Sequence, residues 1–308
     1  MQFTIIMNQI LVLFSMIFVG YIIRKKDIIN KEINQGLSSI LLEVTLPALI
    51  ISSMMIKINT ELINNIKIIS LLSFILYSVI VLLTIFITNF LSLSHRRKTV
   101  FKFLLIFGNV GYMGYPVINA IYPNYGIFYA IIANVFYNFL MFTYGVYIFI
   151  QNEDNSNQIS LKNLLNNGLI AVAIGFLLLI TGWQLPKPIA GALKSLGSMT
   201  FPLSMLIIGS SLTNVNLKST IKNFHFYLLS GLRLLIIPLI IYVALSQFEL
   251  PSIVENISII LFSMPAAANA VIFAEKFEGD YNFASEGVFF TTLLSLFTIP
   301  IFVYLITL

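Results

Sequence analysis

The stretch from Phe107 to Pro116 has the clearest chemical potential in the chain, because it reads FGNVGYMGYP inside an otherwise apolar segment. Glycine loses more chain entropy than any other residue when it becomes helical, and proline removes a backbone N–H donor. A helix interrupted in this way survives in hydrocarbon only if its freed N–H and C=O groups face protein, water or a ligand. The stretch therefore predicts a membrane helix that stops and restarts around a binding site.

A second interruption, from Ser263 to Ala270, reads SMPAAANA. Pro116 and Pro265 each predict the first turn of a restarting half-helix, where a missing N–H is harmless. The remaining N–H groups and the positive end of each helix dipole favour an anion, by about 0.3–1 kcal/mol per end. The amides of Asn109 and Asn269 can donate to a carboxylate or satisfy the broken backbone, and both roles stay open. The predicted binding residues at the two interruptions are Asn109, Gly111, Gly114, Pro116, Pro265 and Asn269.

Asn134 and Asn138 are four residues apart, so they share one face of a predicted helix, with Tyr137 beside them. We predict that both asparagines line the cavity next to the interruptions and contribute to binding. The alternative is interhelical hydrogen bonding, which is common for asparagine in membranes and often contributes under about 1 kcal/mol.

Two charged residues, Arg233 and Glu43, fall deep inside apolar segments. A charge at the centre of a membrane helix costs roughly 2.5–3.5 kcal/mol, so each should face protein or a water cavity and have a partner. Arg233 is interpreted as a fixed countercharge for an anionic substrate, or else as a structural ion pair with Glu43 or a side chain that snorkels to the cytoplasmic end. Glu43 is interpreted as a proton-coupling carboxylate.

Residue patterns for bond-making chemistry are missing from the sequence. There is no Gly-x-x-x-x-Gly-Lys-Ser/Thr phosphate loop, no His-Glu-x-x-His helix and no nucleophile with a base at membrane depth. The chain has no cysteine and only two histidines, His95 and His225, so a metal site is not expected. We therefore predict a protein that is not an enzyme and has no cofactor.

Membrane helices are the elements that must position these residues. Of the 308 residues, 58% are hydrophobic and 9% are charged, and the mean hydropathy is +0.96, which is outside the range of soluble domains. At roughly 20 residues per span, this length holds about ten helices. The first segment has no basic start and no small-residue cleavage site, so we predict a retained helix rather than a signal peptide.

The distribution of Lys and Arg predicts the orientation of the chain. The predicted spans are 3–23, 36–56, 67–91, 99–121, 126–150, 165–183, 188–212, 224–246, 252–275 and 283–307. With the N-terminus outside, 12 of the 17 Lys and Arg residues lie in inside loops and four in outside loops, as the positive-inside rule requires. We expect a multi-pass protein of the cell membrane with both termini outside, whose basic charge serves topology and not nucleic-acid binding.

The chain divides into a first repeat at 1–150, a cytoplasmic linker at 151–164 and a second repeat at 165–308. Each half holds five predicted spans, and because five is odd, the second half is inverted in the membrane. Thr45-Leu46-Pro47 in span 2 and Thr200-Phe201-Pro202 in span 7 occupy matching positions, as do the interruptions in spans 4 and 9. Interrupted spans at matching positions of inverted halves are typical of a transporter's binding site. The predicted fold is therefore all-α, with spans 4 and 9 crossing.

The run from Gly108 to Pro116 resembles the G-N-x-G-x-x-G-x-P signature of the auxin efflux carrier family, which includes plant auxin exporters and bacterial permeases for malate and similar acids. Leu46-Pro47 and the run from Pro265 to Phe277 extend the resemblance over the whole chain. It implies a sodium/proton antiporter-like fold with a 5+5 inverted repeat and crossed discontinuous helices 4 and 9. It also implies a scaffold of helices 1, 2, 6 and 7, a transport domain of helices 3–5 and 8–10, and a homodimer through helices 2 and 7. The short central loop favours the bacterial permeases.

We therefore predict a secondary active transporter of a small organic anion, such as malate or another carboxylate, that works by alternating access where helices 4 and 9 cross. Two alternatives stay open. One is a sodium- or proton-coupled carrier of an amphipathic or amino-acid substrate, and the other is a membrane receptor that does not transport. The expected partners are the anion, the lipid bilayer and, in the coupled alternative, sodium or a proton.

Overall fold

Helices form the regular elements of the computed structural model, which describes residues 2–56, 59–150, 167–214 and 217–307. The predicted linker at 151–164 and the start of predicted span 6 lie outside the described residues. The helices are α1 (Gln2–Lys25), α2 (Lys31–Ile40), α3 (Leu46–Ser53), α4 (Thr60–Asn89), α5 (His95–Ile106), α6 (Tyr115–Ile121), α7 (Gly126–Leu140), α8 (Val146–Ile150), α9 (Asn167–Thr181), α10 (Lys187–Ser198), α11 (Thr200–Ser211), α12 (Leu217–Lys222), α13 (Phe224–Gly231), α14 (Ile237–Leu245), α15 (Ser252–Ser263), α16 (Asn269–Lys276) and α17 (Tyr281–Thr307).

Several segments are long and apolar enough to cross a membrane. Among the described residues there are seven: Met7–Lys25, Glu32–Ser53, Thr60–Asn89, Gly126–Ile150, Lys187–Ser211, Phe224–Leu245 and Tyr281–Thr307. Two shorter apolar helices, Asn167–Thr181 and Ser252–Ser263, accompany them. The chain is therefore a multi-pass membrane protein.

Predicted spans 4 and 9 do not form single helices. Span 4 is divided into α5 with 12 residues and α6 with 7, and span 9 into α15 with 12 residues and α16 with 8. A 12-residue helix rises about 18 Å, which is short of the hydrocarbon thickness of about 30 Å. The interruptions that glycine and proline predicted are present at both places.

In the part of the chain that the structure describes, four π-helical turns widen the helices, at Leu41–Thr45, Val110–Gly114, Met141–Gly145 and Leu232–Ile236. Three of them are followed, two residues after they end, by a proline: Pro47, Pro116 and Pro238. A proline inside a helix lacks the N–H donor, and its ring collides with the carbonyl four residues before it. A wider turn just ahead of the ring relieves that collision. Glu43 and Arg233 both lie in such turns, so proline placement influences where their side chains point.

The chain forms two compact units. The first takes Met1–Ile69, Gly111–Val135 and Leu161–Thr213, and the second takes Ser70–Val110, Phe136–Ser160 and Asn214–Leu308. Within the described residues, the boundaries fall within α4, within the first interruption between Val110 and Gly111, within α7, and between α11 and α12. Each unit has its own kind of packing.

The first unit is held together by close helix contacts at glycines. α1 packs against α11, where a Cβ at Gly209 would overlap the carbonyl oxygen of Ile17. α10 packs against α3, where a Cβ at Gly197 would lie 2.8 Å from the Cα of Leu49. Membrane helices associate through small residues that let backbones approach, so these glycines set the helix spacing.

The second unit has an aromatic core. The ring of Phe103 lies 4.6 Å from that of Phe107, 4.9 Å from Phe273 and 5.7 Å from Phe149, measured between centroids. Tilted and edge-on pairs of this kind contribute about 0.5–1.5 kcal/mol each beyond their buried area. The packing buries the C-terminal part of α5, the half-helix that leads into the first interruption.

Asp280 fixes the beginning of α17. One carboxylate oxygen accepts from the N–H of Phe283 at 2.9 Å and the other accepts from Nε of Arg97 at 2.8 Å. Burial alone would raise the pKa of this carboxyl, but the hydrogen bonds from Arg97 and the Phe283 N–H outweigh it, so the pKa lies below its ordinary value. The fold therefore favours the charged form of Asp280.

Gly209→Ala should destabilise the first unit, because its methyl group would overlap the Ile17 carbonyl and push α1 away from α11. Overpacking of this kind costs about 1–3 kcal/mol, measurable as a lower midpoint of thermal unfolding in detergent. Gly191→Ala is the control, because a Cβ there meets no atom within 4 Å and should leave the midpoint unchanged or slightly higher. Equal midpoints for the two variants would show that this contact does not need glycine.

Asp280→Asn keeps an acceptor for the α17 N–H but removes the charge that pairs with Arg97. Because the folded state lowers the pKa of Asp280, its charge stabilises the protein at neutral pH, and this contribution is lost as the pH falls through the lowered pKa. Wild type should unfold later than the variant at neutral pH, by the equivalent of about 0.2–1 kcal/mol for a partly exposed pair. Midpoints measured across a pH series should converge in acid, and a difference that persists there would contradict this account.

Candidate functional site

The two interruptions meet each other within the second unit. Gly108, just after α5, and Ala266, just after α15, form an isolated antiparallel bridge. Two backbone hydrogen bonds flank it, one from Asn109 N–H to the Pro265 carbonyl at 2.7 Å and one from Ala267 N–H to the Phe107 carbonyl at 2.9 Å. Two segments far apart in the sequence thus pair their freed backbone groups with one another.

The bridge changes the partners at the end of α5. In a continuous helix, the N–H groups of Asn109 and Val110 would donate to the carbonyls of Leu105 and Ile106. Instead, Asn109 donates across the bridge to Pro265, and Val110 donates to the carbonyl two residues before it at 2.9 Å. The carbonyls of Leu105 and Ile106 therefore lose their helical donors and need others.

Arg233 supplies those donors. Its side chain is fully buried, and Nη1 donates to the Leu105 carbonyl at 3.1 Å and to the Ile106 carbonyl at 3.3 Å. Its Nε donates to the Met264 carbonyl at 3.1 Å, directly after α15. Arg233 thus caps the C-terminal ends of α5 and α15 together. The alternative that Arg233 snorkels to the surface is wrong, and its hydrogen bonds end on carbonyl oxygens rather than on the carboxylate of Glu43.

Two hydroxyl groups and one close approach also involve the bridge. Nη2 of Arg233 is buried without an acceptor among the described residues and lies against Gly108, where a Cβ would overlap it, so glycine is required for this close approach. The hydroxyl of Tyr137 donates to the Gly108 carbonyl at 2.8 Å. The hydroxyl of Thr291, on α17, accepts from the Ala266 N–H at 3.2 Å. The sequence placed Tyr137 beside the site but did not single out Thr291, whose one signal is a pair of threonines in the middle of an apolar span.

The amides of Asn109 and Asn269 are not used by the broken backbone. Asn109 is 3% exposed, and its side chain makes no hydrogen bond to the described residues. Asn269 begins α16, is half-buried, and places Nδ2 3.6 Å from the sulfur of Met141, a weak acceptor. Asn138 is also half-buried, and its amide has no partner within the described ranges. These three amides of the second unit are available to a ligand.

Pro265 does not begin the restarting half-helix, contrary to the prediction. It lies in the non-helical segment four residues before α16 begins at Asn269. Proline fits there because the bridge uses only its carbonyl and not an N–H. Pro116 does lie in the first turn of α6, but it follows Gly108 by eight residues, whereas Pro265 precedes Ala266 by one. The two prolines therefore do not occupy equivalent places.

The remaining predicted binding residues belong to the first unit. Gly111 is half-buried with open space where a Cβ would lie, whereas Gly114 and Pro116 are buried. Nδ2 of Asn134 donates to the hydroxyl of Tyr115 at 2.9 Å, and its Oδ1 is buried without a donor. For Asn134 the structure thus shows the alternative of an interhelical hydrogen bond, from α7 to α6.

Glu43 is exposed in the π-helical turn between α2 and α3, where its neighbours Leu42 and Val44 are also exposed. The expectation that a membrane carboxylate is buried against protein is therefore wrong for Glu43 in the single chain. A proton-coupling role for Glu43 stays a prediction without support from burial.

The groups around the bridge are amides, hydroxyls and one guanidinium. Their N–H and O–H donors suit an acceptor such as a carboxylate, and amides can also accept. Arg233 is the charged member of this set, and it is committed to carbonyl oxygens. This arrangement supports binding of a small polar or anionic ligand.

Known proteins resemble the chain over almost its full length. A family model described as membrane transport protein matches residues 5–303. An uncharacterized transporter of Methanocaldococcus jannaschii is 23% identical, over 96% of this chain and 97% of that protein. An uncharacterized transporter of Methanothermobacter thermautotrophicus is also 23% identical, over 96% of each chain. Because the family match includes both interruptions, the chain belongs to the membrane transport protein family, the auxin efflux carrier family whose signature the run from Gly108 to Pro116 resembles.

Proposed function

We propose that the protein is a secondary active transporter of a small organic anion, with malate or another carboxylate as substrate. The observation that carries the proposal is the bridge between two interrupted helices, in which the backbone is paired while the buried amide of Asn109 is not. An unpaired amide at a helix interruption is an available donor to a carboxylate. Family membership supports transport, and the resemblance to acid permeases supports the substrate class.

We infer a ten-span topology, a 5+5 inverted repeat in which helices 4 and 9 cross at the bridge. Two features support it. Each interruption follows a half-helix of 12 residues. The hydrogen bonding at the bridge is also symmetric, because in each segment the residue after the bridge residue donates to the residue before the bridge residue of the other segment. In this arrangement the repeats are residues 1–150 and 165–308, and both termini lie on the external side of the cell membrane.

Alternating access is the proposed mechanism. In the numbering of the ten predicted spans, spans 3–5 and 8–10 carry the site past a scaffold of spans 1, 2, 6 and 7. The bridge, Arg233, Asn138 and Asn269 all belong to the second unit, which supports their moving together. Because Arg233 and the bridge hydrogen bonds tie α5 and α15 to each other, the site can change its access without breaking its own backbone pairing.

A homodimer through predicted spans 2 (36–56) and 7 (188–212), the helices 2 and 7 of the family resemblance, is the proposed assembly. The first unit exposes large apolar side chains on these helices, including Ile40, Val44, Ile189 and Met199. Such a surface suits a second copy of the chain, although lipid also covers apolar surface, so the experiment must separate the two.

Asn109→Ala should lower carboxylate uptake into proteoliposomes by at least about tenfold, because a hydrogen bond to a charged group contributes about 1.5–3 kcal/mol. Its thermal midpoint should not fall, since the Asn109 amide holds no other described residue. Radiolabelled malate is the first substrate, and others come from a thermal-shift screen of small carboxylates. Asn89→Ala, which removes an exposed amide at the end of α4, is the matched control and should transport like wild type.

Other outcomes of the same assay decide between the alternatives. Uptake by Asn109→Ala at wild-type affinity would remove Asn109 from the site. Wild-type uptake of an amino acid or amphipathic substrate, but of no carboxylate, would contradict the substrate class. Ligand binding without counterflow in sealed vesicles would indicate a receptor.

Cysteine crosslinking tests the dimer directly, because the native chain contains no cysteine. Val44→Cys, which lies in predicted span 2 and is 44% exposed, should form a covalent dimer with a short bismaleimide in native membranes. Ile180→Cys, 73% exposed on α9, should stay monomeric under the same treatment. Equal crosslinking of both variants, or of neither, would contradict an interface through helices 2 and 7.

A further inference from the structure

We propose that Arg233 is an internal cation, whose guanidinium holds the place between the C-terminal ends of α5 and α15 that a coupling metal cation such as sodium would otherwise need. The consequence for transport rests on the function proposed above, whereas the consequence for stability does not. The inference concerns residues of the second unit alone.

The hydrogen bonds of Arg233 match the ligand set of a cation site. Unwound carbonyls and the C-terminal ends of half-helices are the groups that coordinate sodium in transporters with broken helices. Here the carbonyls of Leu105, Ile106 and Met264 all receive hydrogen bonds from the guanidinium, at 3.1, 3.3 and 3.1 Å. A metal ion would compete with Arg233 for the same oxygens.

The charges also match. Each helix C-terminus carries about −0.5 elementary charge, so two ends together present about −1. The guanidinium supplies +1 and always carries its charge. In the described ranges the ion pairs join Arg96 to Glu278 and Arg97 to Asp280, so the fully buried Arg233 has the two helix ends, and not a carboxylate, as its counter-charge.

The surroundings are built around the guanidinium. Gly108 leaves room for Nη2, since a Cβ there would overlap it. The π-helical turn from Leu232 to Ile236 carries the side chain, and Pro238 follows that turn. Because a guanidinium is more weakly hydrated than an ammonium, it suits this fully buried position better.

A permanently bound charge has a consequence for coupling. A sodium ion binds and leaves in each cycle, so it couples transport to its gradient, but the guanidinium stays with the protein. Arg233 therefore acts as a positioning residue that holds the two half-helices together, and carboxylate transport needs no sodium at this place.

Chemical rescue tests the proposal without a substrate. Thermal unfolding of purified Arg233→Ala in choline chloride should occur about 5–10 °C below wild type, because two helix ends lose their counter-charge. Millimolar guanidinium chloride should raise the midpoint of Arg233→Ala by several degrees and should not raise that of wild type. Gly231→Ala, two residues away and with no atom within 4 Å of the added Cβ, is the control and should behave like wild type. A wild-type midpoint for Arg233→Ala, or no selective response to guanidinium, would overturn the proposal.

Two other variants keep the test decisive if Arg233→Ala does not fold. Arg233→Lys retains the charge and Arg233→Gln retains only polar atoms, so the Lys variant should unfold later. The reverse order would show that the charge does not matter. Gly108→Ala should lower the midpoint as well, because its methyl group displaces Nη2.

A transport measurement tests the consequence for coupling. Wild-type uptake of the carboxylate identified above should be the same in sodium and in choline buffers, and a sodium dependence of about tenfold, a coupling of about 1.4 kcal/mol, would overturn the proposal. Wild-type protein that moves no carboxylate at all would contradict the proposed function, while guanidinium rescue of Arg233→Ala would still establish the internal cation.

Discussion

A backbone that leaves the helical conformation inside hydrocarbon must find new partners for its N–H and C=O groups, and the second unit of this protein depends on how that requirement is met. The two interruptions pair with each other through Gly108 and Ala266. Arg233 donates hydrogen bonds to the carbonyls at the C-terminal ends of α5 and α15. Tyr137 and Thr291 complete the pairing from two further helices. The side-chain amides of Asn109 and Asn269 take no part in this backbone pairing.

The same requirement explains why a charged residue is tolerated at this depth. A lone arginine at the centre of a span is costly, but here it faces two negative helix ends, and its charge and theirs compensate. Local sequence features make the geometry attainable. Gly108 has no side chain to block the guanidinium, and Arg233 lies in a π-helical turn that ends two residues before Pro238. Helix irregularities and buried charge therefore belong to one structural arrangement.

Sequence reasoning located the interruptions but misjudged some of their details. Glycine and proline in an apolar run are strong signals, so both breaks were predicted, and Arg233 was singled out as a charge inside a span that needs partners. The binding roles of Asn109 and Asn269 stay predictions. The role of Pro265 was predicted wrongly, because proline suits both the first turn of a helix and a bridge position that uses only its carbonyl. Glu43 was expected to be buried because it lies in the middle of a span, yet hydropathy along the chain does not tell which face of a helix meets protein.

By itself, the sequence determined the class of the protein, the positions of its interruptions and the residue types available for binding, since these follow from composition and from local backbone preferences. Only the tertiary structure decided which groups pair. The bridge joins Gly108 to Ala266, and Arg233 reaches α5 across 127 residues of sequence. Hydrogen-bond partners so far apart in the chain are selected by packing and by the cost of leaving a buried polar group unpaired, neither of which can be read from neighbouring residues.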